Sequence, residues 1–311
     1  MSKHRFISEA LRTETSVLSV EFFPPKTEEG KDKFLDNANQ IRSAFQPDFV
    51  SITYGAGGST RERTVEYAKL LKNDIGFEVM PHLTCVGHSR DEIREILQRF
   101  SDEGFNNIMT LRGDPPRGET NFKPHPDGLR YASELVTFIR ETFPDFCLGV
   151  AGYPEMHTEA TSPDEDIKNL KAKVDRGASF ITTQVFFDNA DYYRFVERCR
   201  SIGITVPIVP GILSIHALAP IKRFCAMCGS SIPQELEDKL LAAGEEGSAA
   251  EAVGIDWAFA QLEDLYKNGA PGFHLYCLNR ARPAVEIARR IKETGIFPRR
   301  RKEEAVSSAK E

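Results

Sequence analysis

The chain has 311 residues, a net charge of -6 and a pI near 5.8, a mildly acidic balance that gives no general attraction to nucleic acid or anionic lipid. With 41% hydrophobic and 28% charged residues it is an ordinary globular chain, long enough for one large domain or two small ones. No apolar run approaches the ~20 residues that span a bilayer, and the first residues lack the apolar core of a signal peptide, so the expected location is the cytoplasm.

Residues 17–25 (VLSVEFFPP) form a β-branched and aromatic strand stopped by two prolines. Glu21 interrupts its apolar run. A carboxylate there is costly unless it is paired, hydrogen-bonded or protonated; a buried Arg or Lys partner is the plain structural alternative to a functional role. Residues 26–45 are polar with apolar positions at helical spacing. Strand 48–55, helix 61–73 and strand 78–85 follow. Helix 89–103 opens on Ser89, three residues before Glu92, the capping-box spacing. Strand 107–114 precedes a polar, Pro- and Gly-rich insertion at 115–130, a candidate lid.

Strand 147–154, helix 163–176, strand 179–187, helix 190–202 and strand 206–213 continue the alternation. Extra helical material occupies 230–268 before the eighth strand, 272–279, and a helix at 283–294. Eight strand–helix units predict a single-domain (β/α)8 TIM barrel over residues 1–298, ahead of a doubly wound sheet; 299–311 reads as a short, charged, frayed tail.

Alternation along each strand predicts which side chains share a face. Ser19 and Glu21, Ser51 and Thr53, His82 and Thr84, Thr110, Arg112 and Asp114, Thr182 and Gln184, and His274, Tyr276 and Arg280 are expected to line the barrel interior or its mouth. Val20, Phe22, Ile52, Leu83, Met109, Leu111 and Val185 are expected to face the helices. Active sites of this fold form at the C-terminal mouth, where most of the polar set lies. Other motifs are weak. Residues 54–60 approach a dinucleotide fingerprint, but Thr60 stands where the third glycine belongs. Cys225 and Cys228 form a C-x-x-C in a helical stretch without a second ligand pair, and His82, His157 and His274 lack metal-ligand spacing; no metal is expected.

These segments resemble the methylenetetrahydrofolate reductases. The resemblance rests on Glu21-Phe22-Phe23-Pro24-Pro25, Ser51-Ile52-Thr53-Tyr54-Gly55-Ala56, Pro81-His82-Leu83-Thr84-Cys85, Leu111-Arg112-Gly113-Asp114 and Tyr153-Pro154-Glu155-Met156-His157. It continues through Asn169-Leu170-Lys171, Lys173-Val174-Asp175, Pro210-Gly211-Ile212-Leu213 and Tyr276-Cys277-Leu278-Asn279-Arg280, and is closest to the compact bacterial type. It implies non-covalently bound FAD, reduction of the flavin by NAD(P)H with NADH favoured, and then reduction of 5,10-methylenetetrahydrofolate to 5-methyltetrahydrofolate at the same face, in a ping-pong sequence that serves methionine synthesis.

The resemblance further implies Glu21 as the acid for the folate N10, with its pKa raised by an apolar strand, and Asp114 beside flavin and pterin. Thr53, Tyr54, Ala56, His82, Arg112, Gly113, Asp114, Tyr131, Ala151, Tyr153, His157, Asp166, Asn169 and Lys173 match cofactor-contacting positions. Gln184, Phe224, Tyr276 and Arg280 match folate-contacting ones. Pro220 stands where bacterial relatives can carry a substrate-contacting glutamine. The expected assembly is a homo-oligomer. Another flavin barrel of the proline dehydrogenase type and a redox-free pterin methyltransferase are the competing functions; both lack a need for Glu21, Asp114 and Gln184 together.

Overall fold

The computed structural model of the chain describes residues 6–13, 16–25, 27–55, 61–114 and 123–296. Nine strand segments, β1 (Val17–Phe22), β2 (Phe49–Ile52), β3 (Val79–Thr84), β4 (Asn107–Leu111), β5 (Cys147–Gly152), β6 (Phe180–Thr183), β7 (Ile208–Val209), β8 (Gly211–Leu213) and β9 (Gly272–Tyr276), form one parallel sheet. Its order runs β7-β6-β5-β4-β3-β2-β1-β9-β8. The two ends of that order are one extended run divided at Pro210, which has no N–H for the ladder. β7 pairs β6 and β8 pairs β9, so eight staves close into the (β/α)8 barrel that the alternation predicts.

The helices are α1 (Ile7–Thr13), α2 (Glu28–Ala44), α3 (Arg61–Lys69, running into a π turn at Leu70–Asp74), α4 (Arg90–Asp102), α5 (Ala132–Thr142), α6 (Pro163–Asp175), α7 (Asn189–Ser201), α8 (Leu218–Cys228), α9 (Gln234–Ala242), α10 (Gly247–Lys267) and α11 (Ala281–Thr294). Local chemistry starts several of them. Ser89 and Glu92 exchange the two hydrogen bonds of a capping box on α4, as the spacing predicts. Thr27 caps α2, and Ser162 followed by Pro163 opens α6. α9 and α10 are the expected extra helical material. α5 was not foreseen: Leu135, Val136, Phe138 and Ile139 bury one of its faces against the barrel.

Two apolar layers set the site's position. Val20, Phe22, Ile52, Leu83, Ile108, Val150, Ile181 and Leu275 face outward into the layer between strands and helices. Val17, Phe49, Met80, Met109, Cys147, Phe180 and Val209 fill the lower interior. α1 closes that floor from below with Ile7, Ala10 and Leu11, and Asn107 fastens it by accepting the Ile7 N–H at 2.9 Å. Apart from Asn107 this floor is apolar, and the other inward polar side chains collect above it.

One strand departs from the expected faces. The register pairs His82 with Met109 and Thr84 with Leu111, and paired residues in a sheet share a face, so Met109 and Leu111 point inward. Thr110 pairs Leu83 and Val150, both helix-facing, and points outward with them. The expectation that Thr110 lines the interior while Met109 and Leu111 face helices is therefore corrected. Val185 packs with neither layer but with a cluster built on α8, α9 and α10. The tail 299–311 and residues 115–122 of the insertion lie outside the described residues, while 123–131 turn back to pair with the start of α4 (Ser89 with Gly128, Arg90 N–H to the Asp127 carbonyl).

If α1 is part of the cooperative unit, Leu11→Ala should destabilise the whole protein by about 2–4 kcal/mol in denaturant unfolding, through the cavity left in the floor. A change below about 0.5 kcal/mol would mean that the helix frays independently of the barrel.

Candidate functional site

Above the floor, β1 delivers Glu21 to the interior, in register with Ser51 on β2 and Tyr276 on β9. The Ser51 hydroxyl donates to Glu21 Oε2 at 3.2 Å. His82 Nε2 and His274 Nε2 lie 3.4 and 3.5 Å from that same oxygen. Ser19 Oγ donates to the Phe273 carbonyl at 3.0 Å and sits 2.8 Å from His274 Nδ1. Ser19 thereby anchors the Nδ1 edge of the ring, and Nε2 is turned toward Glu21 and Ser51. Phe49 stacks on the His274 ring and Tyr276 meets it edge-on at 5.1 Å.

Burial is the largest influence on Glu21 and pushes its pKa up; the His274 hydrogen bond, the charges of His82 and His274, and Ser51 together bring it below the ordinary carboxylate value. His82 is itself pushed down to about 4, by burial first and against the opposing pull of Glu21. Above that pH His82 carries no charge, so His274 and Ser51 are what hold the carboxylate. The expectation of a raised Glu21 pKa fails for this reason: the strand is apolar, but the partners across the barrel are not.

A second feature lies beside the mouth between the tops of β4 and β5 and helices α5 and α6. This cavity of about 480 Å³ is lined by Thr110, Leu111, Arg112, Tyr131, Ala151, Tyr153, His157, Asp166, Asn169 and Lys173, and also by Glu159, Glu165 and Ser133. Its size suits a bound small molecule. Arg112 makes a two-pronged ion pair with Glu159 at 2.5 and 2.7 Å, which raises the guanidinium's pKa. Lys173 Nζ donates to the Ala151 carbonyl at 2.6 Å, and burial pulls it down to about 8 against the opposing charge of Asp166. Asp166 accepts the His157 N–H at 3.1 Å, and burial raises its pKa. A larger open groove of about 1060 Å³ between α2, α10 and α11 lies outside the barrel, away from all of these groups.

Of the residues proposed from the resemblance to contact the cofactor, Arg112, Tyr131, Ala151, Tyr153, His157, Asp166, Asn169 and Lys173 line one cavity. His82 sits deeper, beside Glu21, and Tyr54 leaves the strand end to hydrogen-bond His88 at 3.1 Å. Thr53 follows β2 and accepts from Thr64 through its carbonyl. Gly113 has φ +89°, and a Cβ there would lie 2.5 Å from Val86; this tight turn sends Asp114 out to solvent, where its charge acts on Tyr153 and Arg112. Ala56 lies outside the described residues. Of the folate-contacting set, Phe224 and Tyr276 border one apolar cluster with Val185 and Leu213. The Tyr276 hydroxyl donates to the Thr183 carbonyl at 2.7 Å, Gln184 Oε1 accepts from the Val185 N–H at 2.9 Å, and Arg280 stands on the rim.

Residues 6–292 match the family model described as methylenetetrahydrofolate reductase. The chain belongs to the methylenetetrahydrofolate reductase family. The 5,10-methylenetetrahydrofolate reductase of Escherichia coli (strain K12) is 39% identical over 281 residues, spanning 90% of this chain and 91% of that one. The probable methylenetetrahydrofolate reductase (NADH) of Oryza sativa subsp. japonica is 38% identical over 291 residues, 90% of this chain but 49% of its own; the chain spans about half the length of the plant relatives it matches. A solved structure titled as an uncharacterized protein from Clostridium thermocellum that binds two copies of 5-methyl-5,6,7,8-tetrahydrofolic acid superposes with TM-score 0.66 at 18% identity, covering 92% of this chain and 98% of that one, a likeness of fold.

Within this family framework the sequence missed three partners. Ser19 and His274 were assigned to the inner face but not to Glu21, because the contact crosses the sheet from β9 to β1 and no spacing encodes it. Glu159 went unnoticed because it is an exposed loop carboxylate whose only distinguishing feature is the distant Arg112.

The acidic shift of His82 sets a pH dependence. The unfolded chain protonates this histidine below about pH 6.5 and the folded one only near 4, so folding should weaken as pH falls through that window. Glu21, depressed in the fold, adds to the loss at the acid end. His82→Asn, compared with the parent at equal cofactor loading, should flatten the stability–pH curve between pH 4 and 6.5 by on the order of 1–3 kcal/mol; an unchanged slope would show that His82 is charged in the fold.

Proposed function

We propose that the protein is an FAD-dependent methylenetetrahydrofolate reductase that uses NAD(P)H, with NADH favoured, and serves methionine synthesis through a ping-pong sequence. The observation that carries the reading is an inward carboxylate, Glu21, held between two histidines at the mouth of a barrel whose sequence belongs to this family. The NADH preference takes support from the plant relatives named for that cofactor. A cytoplasmic location and a homo-oligomeric assembly complete the proposal.

The residues present suit the flavin. His82 Nε2, Thr84 Oγ1, Thr110 Oγ1 and Thr182 Oγ1 are buried without a hydrogen-bond partner among the described residues, and a polar heterocycle can satisfy such atoms. Arg112, Tyr153, His157, Asn169 and Lys173 would hold it, the two cations suiting its diphosphate. Bound there, the flavin supplies hydride transfer from nicotinamide to the one-carbon unit.

The chain's own part is acid–base chemistry and orientation. Opening the five-membered ring of the folate requires a proton on N10. Glu21 relays it: the resting carboxylate takes up a proton through the open mouth and gives it to the amine. Ser19 keeps the imidazole turned the right way. Asp114, carried outward by the Gly113 turn, and Gln184, with one donor and one acceptor, suit the pterin edge. Phe224 offers a ring face to either substrate in turn.

The test is anaerobic absorption spectroscopy of the purified protein. NADH should bleach a flavin spectrum and methylenetetrahydrofolate should restore it. A spectrum that stays bleached would favour a different flavin oxidoreductase, such as the proline dehydrogenase type, and a protein that stays colourless after reconstitution with FAD would favour the pterin methyltransferase. In the same cell, Glu21→Gln should leave bleaching by NADH within about twofold of the parent and slow recovery by folate at least 10²-fold, the usual size of a lost general acid. Equal loss in both steps would remove Glu21 from the acid role.

A further inference from the structure

Glu251, on the long helix α10 inserted between β8 and β9, is 4% exposed, yet its carboxylate meets two rim arginines. Oε2 lies 3.4 Å from Arg280 Nη2 and 3.1 Å from Arg282 Nη1. Oε1 is buried and has no hydrogen-bond partner among the described residues. A buried carboxylate that uses one oxygen on two exposed cations is poorly arranged for stability alone; replacing it with an apolar group would cost little. What it does accomplish is to restrain the arginines, Arg282 by a hydrogen bond and Arg280 by a longer ion pair. A free arginine on a rim samples many rotamers, and ordering it when a ligand arrives costs affinity.

The backbone around Glu251 is held equally firmly. One turn further along α10, Gly254 packs against the Ile215 backbone so closely that a Cβ would sit 1.8 Å from the Ile215 carbonyl oxygen. α10 is thereby docked on the segment that leaves β8, and Glu251 cannot drift. On the other side, Arg280 is the residue that begins α11, and the preceding loop is pinned by Asn279, whose side-chain amide bonds both the N–H and the carbonyl of Phe23 after β1. Two rigid elements thus meet at Arg280. Arg280 and Arg282 against one carboxylate leave an excess positive charge facing solvent beside the mouth. His216, whose pKa burial lowers with help from the nearby Arg280, leaves that excess to the arginines.

We propose that Glu251 is a positioning residue for the folate's carboxylate-bearing tail: it holds Arg280 in place, so that the arginine meets the tail's anionic end without first being ordered. This rests on the proposed reductase function and on Arg280 as one of the folate contacts that the resemblance implies. Pro220, on α8, carries no side-chain amide to offer the tail.

The test is steady-state and half-reaction kinetics of the FAD-loaded protein with Glu251→Gln, Glu251→Asp and Arg280→Gln, alongside thermal melting. The expected result for Glu251→Gln is a KM for methylenetetrahydrofolate about three- to tenfold higher, with kcat and the rate of flavin reduction by NADH within twofold of the parent. Glu251→Asp, which keeps the charge, should recover part of the loss. A lower KM in Glu251→Gln would overturn the proposal, because it would mean that Glu251 merely neutralises Arg280. Equal slowing of both half-reactions with a lowered melting temperature would also overturn it, since that is the signature of a structural ion pair. Arg280→Gln separates the two readings: if it leaves KM unchanged, the tail contact itself is wrong. If it raises KM while Glu251→Gln does not, only the positioning role falls.

Discussion

The structure depends on a carboxylate placed where water does not reach it freely. Glu21 is 6% exposed, on a strand whose other side chains are fully or nearly fully buried, and burial alone would favour its neutral form. The barrel resolves the conflict from neighbouring staves: Ser51 from β2, His82 from β3 and His274 from β9 all reach one oxygen. Only a closed sheet can bring β9 against β1, so the acid's environment exists because the barrel is closed.

That closure has its own requirements. Apart from Asn107 the floor sealed by α1 is apolar, with the other inward polar groups above it, and the outward face of every stave is committed to the helices. Among the described residues, the expected site residues collect mainly at two places, the mouth above Glu21 and the cavity between β4–β5 and α5–α6. The inserted helices contribute on the opposite rim, where α10 and α11 meet at Arg280.

Much of this was legible. The count of eight units fixed the fold class, the capping box at Ser89 and the caps of other helices follow local chemistry, and the face of Glu21, His82 and His274 follows from strand parity. What failed did so for identifiable reasons. Parity was anchored on β4 by its polar residues, and Thr110 is polar because it borders an outer cavity, not because it faces inward; Met109 and Leu111 could be assigned inward only from their register with His82 and Thr84. The pKa direction of Glu21 was misjudged because the strand's own composition is apolar and the decisive groups come from other strands, His274 from one more than two hundred residues away in sequence. Glu159 and Glu251 are unremarkable in sequence; each acquires meaning only through an arginine that the fold brings to it.

The account's central claim is that His274 and Ser51 keep Glu21 ionised despite burial. Infrared difference spectroscopy between the parent and Glu21→Gln, recorded across pH in the same buffer, measures this directly. The account predicts that at neutral pH the difference contains the carboxylate stretches of Glu21 and no carboxylic-acid carbonyl band, the latter growing in only under acid conditions. A carboxylic-acid band already present at neutral pH would contradict it, because burial would then have prevailed over His274 and Ser51.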